Sequence, residues 1–197
     1  MTIDIKQLRT SAVTFGLILG IALVILNILS FYVIISTSSV IAISATPFIF
    51  SVLLPIALVI VLCFNLRKKI GGSWNFKHAA TGIFIMFLAA FVVKFIVYDQ
   101  LFTKVIEPNT VQKTETAMVN AVTTFLEKSN TSQDVIDKKM EEIQKQFDAQ
   151  KNVTIGKEIQ SIGISIIFMF VVAVIFAAFF KKEIHTFNPN LDNDPAV

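Results

Sequence analysis

The residue whose type and place most invite chemistry is Lys94, the single charge in an otherwise apolar run from Ala79 to Tyr98. An ammonium group carried into lipid costs roughly 2.5–3.5 kcal/mol on insertion scales, so such a residue is by default a candidate for ion or proton passage. Its position argues for a plainer role. About four residues of helix, roughly 6 Å at 1.5 Å per residue, separate Lys94 from Tyr98, so its stem can snorkel to the interface or towards Asp99. Lys94 also shares a helical side with Ala90 and Met86, which keeps an inward-facing polar site open.

The other apolar runs offer little to join it. Asn27 follows Ala12, Gly16 and Gly20 on one side of a helix, small residues at a spacing that lets two backbones approach while the amide donates and accepts across the contact. This reads as packing against another helix of the same chain before it reads as a dimer seam. Pro55 removes a backbone bond and predicts a kink. Cys63 is the only cysteine, which excludes an intramolecular disulfide. There is no phosphate-binding Gly loop, no HExxH, no GxSxG and no acidic pair within an apolar run. Enzymes need polar groups that converge at one depth. The expectation is a protein that is not an enzyme and holds no cofactor or metal.

The elements that position these residues follow from charge. Between Arg9 and Arg67 stand 57 residues without Asp, Glu, Lys or Arg, nearly three times the roughly 20 needed to cross a bilayer core. A mean hydropathy of +0.71 and a charged fraction of 16%, below the roughly 25% of soluble domains, point the same way. We expect an all-α membrane protein with spans at about 11–32, 47–66, 79–98 and 159–180. Pro47 is placed in the first turn of the second span, after a Ser-rich turn. The stretch 67–78 reads as an interfacial loop, with four bases, a Gly pair and an aromatic anchor at Trp74. Small residues Gly163, Ala173 and Ala177 are candidate contacts of the last span.

Residues 99–158 form a charged insert outside the membrane. An apolar stripe continues from Tyr98 to Ile106 and Pro108 ends it. Two amphipathic helices follow, one with Val111, Met118, Val122 and Phe125 on one side, the other with Ile136, Met140, Ile143 and Phe147. The turn falls at Ser129 and Asn130, and Thr131 with Asp134 suggests a capping box for the second arm. The two stripes should face each other as a helical hairpin, and the second stripe is the candidate surface for a protein partner or another copy of the chain. Residues 184–197, with Pro189 and Pro195, look disordered.

Four crossings leave both termini on one side. That side holds Lys6, Arg9, Arg67, Lys68, Lys69, Lys77, Lys181 and Lys182 concentrated at membrane ends, whereas the eight lysines of 99–158 are spread among ten acids. Density near the ends is what orients a membrane protein, so the termini are expected in the cytoplasm. A net charge of +3 is accounted for by those rims, and no nucleic-acid partner is expected.

The run Gly72 to Phe76 into Lys77 and Ala79, the helix ending in Tyr98, the Glu-, Lys- and Gln-rich stretch around Met140, Glu141 and Glu142, and the closing Lys181 and Lys182 resemble the domain-of-unknown-function family 4199. The resemblance implies a small four-span protein of the bacterial cytoplasmic membrane, where the N-x-S/T sequons at Asn130 and Asn152 carry no meaning. It brings no activity and no functional residue with it. The function expected is a structural or interaction component of the cell envelope, in contact with the lipid bilayer and with a partner at the outer hairpin. The alternative is a small transporter or channel subunit that uses Lys94 and Asn27, helped by the Pro55 kink.

Overall fold

The computed structural model describes residues 4–151 and 154–182. The tail at 184–197 and the sequon at Asn152 lie outside them. Among the described residues the secondary structure is helical, with no strand and a single antiparallel bridge between Trp74 and Lys182. Four helices are long and apolar enough to cross a membrane: α1 Ile5–Ser36, α2 Val40–Lys69, α3 Phe76–Ile106 and α6 Ile155–Phe180. Between α3 and α6 stand two amphipathic helices, α4 Thr110–Lys128 and α5 Gln133–Lys151.

The helices start where side chains satisfy their first N–H groups. Asp4, Ser39, Asn75 and Thr154 each accept a hydrogen bond from the backbone two or three residues on. Ser39 corrects the expected start of the second span. That helix begins at Val40, so Pro47 lies inside it and not at its first turn. The missing donors of Pro47 and Pro55 are absorbed by a π turn at Ile49–Leu53 between them, where Leu54 N donates to Ile49 O. The third span likewise runs on past Tyr98, its last part wound as a π-helix over Phe95–Ile106. The helix thus continues along the apolar stripe from Tyr98 to Ile106.

Two left-handed turns close helices with the same pair of bonds. After α2, Gly72 N reaches Arg67 O at 2.9 Å and Gly71 N reaches Lys68 O at 3.3 Å, with Gly71 at φ 108°. After α4, Thr131 N reaches Leu126 O and Asn130 N reaches Glu127 O, with Asn130 at φ 53°. Both are Schellman closures, which need a residue that tolerates positive φ. Thr131 is thus spent in ending α4, and the cap position of α5 falls to Ser132, whose carbonyl takes Val135 N and Ile136 N.

The core lies on the α1–α3 pair. Ala12 is fully buried, and a Cβ built on Gly16 would stand 2.5 Å from Met86 O and 2.6 Å from the Ala89 Cβ. Gly20 is as tight, 2.6 Å from the Val93 Cβ. The helices are in backbone contact, and this seam lies within the chain. On α3's other side Ala173 and Ala177 of α6 are fully buried, and Phe84–Phe170 and Phe87–Phe176 meet edge to face. Gly163 meets nothing within 4 Å, so it is not one of the contacts of the last span. α2 packs beside α1. A third of the most apolar window of α1 is buried but 11% of those of α2 and α6, so the latter two form the outer faces of the bundle.

Candidate functional site

At the end of the bundle where α1 finishes, α4 lies against α1 and the start of α2, with Ala121 packed on Ile34 and Ile43. Beneath the helical hairpin is an open cavity of about 310 Å³, whose lining includes Asn27, Ser30, Tyr98, Thr110, Thr114 and Gln150. Several of these polar groups are turned back onto their own helices. Asn27 Nδ2 donates to Leu23 O at 2.7 Å and Thr114 Oγ1 to Thr110 O at 2.8 Å. Asn27 therefore does not bridge α1 to another helix, as its place on the small-residue side suggested. It lies beyond the tight seam, on the cavity, where the carbonyl of Leu23 is within its reach.

Lys94 is neutralised where it stands. Its Nζ is 3.2 Å from both Asp99 carboxylate oxygens and 5.5 Å from the Tyr98 ring centre. Five residues apart, the two would diverge on an α-helix. The π turns that begin at Phe95 bring i and i+5 onto one side. Both side chains keep about a third of their surface exposed, and the ion pair lowers the cost of holding the ammonium in an apolar helix. Nearby, Gln100 and Lys104 reach Glu158 in the first turn of α6, each at 3.4 Å.

In the hairpin, Ile136, Ile143 and Phe147 are buried. Met140 is half-buried and its sulfur accepts from Thr123 Oγ1 at 3.3 Å. The stripe read as a partner surface is turned inward, its buried residues packed between the two arms. The outward face is charged and paired, as at Lys145–Glu141 (2.6 Å) and Lys139–Glu142 (2.8 Å), while Lys151 reaches Glu115 on the other arm at 2.7 Å. The Lys139 ammonium holds the Glu142 carboxyl below its usual range. Hydrogen bonds to Glu141 and Glu115 push Lys145 and Lys151 upward.

The opposite end holds what sequence reading missed. Trp74, expected as an aromatic anchor of an interfacial loop, is 1% exposed. Its Nε1 donates to Phe180 O at 2.8 Å, and its backbone exchanges two hydrogen bonds with Lys182. Leu8, Leu66 and Gly82 surround its ring region. The contact joins residues more than 100 positions apart, and a buried indole needs such an acceptor. Cys63 is fully buried in the same core.

Four apolar helices long enough to cross a bilayer define a multi-pass membrane protein. Residues 14–182 match the family described as protein of unknown function, DUF4199, and the chain belongs to that family. Comparison with curated proteins and with solved structures found no match.

Proposed function

We propose that the chain is a structural or interaction component of the bacterial cytoplasmic membrane, not an enzyme, with both termini inside and the α4–α5 hairpin outside, where it docks a protein partner or a second copy. The observation that carries this reading is the contrast of the hairpin with the spans. Its arms bury Ile and Phe against each other and turn ion pairs outward, which is a pattern for water. The inward-turned stripe gives the hairpin its shape, and its charged outer face makes the docking contact. The eight bases concentrated at the end with the termini support the orientation.

A photo-crosslinker at Lys138, exposed on α5, should trap a discrete adduct in cells, and Ile143→Asp should abolish it by opening the hairpin. A crosslinker that captures neither another protein nor a second copy would overturn the reading. For orientation, a membrane-impermeant maleimide should label Ser132→Cys in intact cells and Ser73→Cys after lysis. The reverse order would invert the topology.

One observation favours a second reading, a small transporter or channel subunit. The Lys94–Asp99 pair sits on a π-helix, a distortion frequent at functional sites, and the neighbouring Tyr98 lines the same cavity as Asn27. Lys94→Met should then stop ion flux in reconstituted vesicles, and wild-type vesicles without flux would retire it.

A further inference from the structure

We infer that the open side of the bundle between α2 and α6 is a binding site for one phospholipid with an anionic headgroup. At the end holding the termini these two helices meet at Phe64 and Phe180, whose ring centres are 4.9 Å apart. Beside that contact lies a groove of about 430 Å³ lined by Ile60, Phe64, Ile175, Phe176 and Phe179, with Arg67 as its polar member. Phe179 is 82% exposed, so the groove opens to the lipid. Its walls suit an acyl chain.

Charge selects the headgroup. The Arg67 guanidinium lies 5.2 Å from the centre of the Phe64 ring and donates from Nη1 to Phe180 O at a long 3.5 Å. Its Nε is shut off from water with no hydrogen-bond partner among the described residues. A guanidinium whose terminal nitrogens make one long bond to protein matches a phosphate in geometry as well as charge. Lys181 and Lys182 stand exposed directly after the last groove residue, Phe180. Among the described residues the one acid at this end is Asp4, which is engaged in capping α1. A phosphodiester would thus meet Arg67 at the mouth of an apolar channel, with Lys181 and Lys182 next along the chain, at the depth where a lipid headgroup lies.

This assignment is independent of the hairpin's role. The test uses the full chain, purified in a neutral detergent and titrated with phosphatidylglycerol or phosphatidylcholine of the same acyl chains, with retained lipid counted by native mass spectrometry. The wild type should hold one phosphatidylglycerol in preference to phosphatidylcholine. Arg67→Gln should lower that preference roughly fivefold, the worth of one base near an anionic surface. Phe179→Ala, on an exposed side chain that does not support the fold, should weaken retention of both lipids. Lys77→Gln, an exposed base of the same end outside the groove, should leave the preference unchanged. Equal retention of the two lipids by the wild type would overturn the assignment, as would an Arg67→Gln protein with the wild-type preference or a loss as large in Lys77→Gln. Soluble glycerol phosphate should not displace the lipid, and displacement would reduce the site to one for free phosphate.

Discussion

Two helix pairs in this chain, α1 with α3 and α4 with α5, meet by opposite means. The first brings backbones together over Ala12, Gly16 and Gly20, with no room for a larger side chain. The second holds its arms apart with Ile136, Ile143 and Phe147 and fastens one of them across the gap through Lys151 and Glu115. Lipid tails are as apolar as leucine, so a large side chain gains little by leaving them for a helix interface, and close dispersion contact becomes the available attraction. Water reverses the choice, because each buried Ile or Phe is worth about 1.5–3 kcal/mol. The small residues thus mark where backbones are drawn together, beside the larger Leu19, Ile83 and Met86 that the same two helices bury.

The sharpest way to break that comparison is to enlarge the first seam. Gly16→Leu must displace Met86 O, which is backbone and cannot rotate away. It should cost about 3 kcal/mol, the upper part of the usual range for overpacking, read as a fall in thermal stability in detergent. Gly163→Leu, facing open space inside α6, should instead leave stability unchanged or raise it by up to about 0.8 kcal/mol, the helix-propensity gain over glycine. Equal melting of Gly16→Leu and wild type would place the seam elsewhere. The next effect is the opposite operation on the second pair. Ile143→Ala removes buried bulk and should cost about 2 kcal/mol, with faster amide exchange confined to α4 and α5. Loss of protection spreading into α1 would show that the two pairs open as one unit and share no boundary of solvent.

Much of this was legible because lipid imposes simple composition. A run of 57 uncharged residues announces membrane-crossing helices whatever their packing, and the four-residue spacing of Ala12, Gly16 and Gly20 marks a close contact. Boundaries were harder. Pro47 suits a first helical turn better than an interior one, yet the helix starts earlier, where Ser39 supplies the cap. The π-helix at Phe95–Ile106 left no trace in hydrophobic periodicity, though Lys94 and Asp99 at a spacing of five held the clue. Trp74 and Arg67 could not be placed from local pattern at all. Their shared acceptor, Phe180 O, is 106 and 113 residues away, and only the folded bundle brings it near.

The smallest expected effect separates the pairs by pH. Glu142 is held below its ordinary 4.5 by the hydrogen bond and charge of Lys139, so its contribution is present above 4.5 and fades as the pH falls through the lower folded value. Lys145 and Lys151 are held above their ordinary 10.5 by carboxylate partners. Their contributions are complete below 10.5 and fade as the pH rises through the higher folded values. These groups are solvent-exposed, so the change is slight and salt should mask it, the Debye length being about 3 Å at 1 M. Amide exchange in α4 and α5, corrected for its intrinsic pH dependence, should therefore be slowest between those limits and loosen at either extreme. The Gly16–Gly20 stretch of α1 carries no ionisable side chain and should show no such dependence. A matching pH profile there would tie the seam to the surface charges and undo the distinction between a pair built for lipid and a pair built for water.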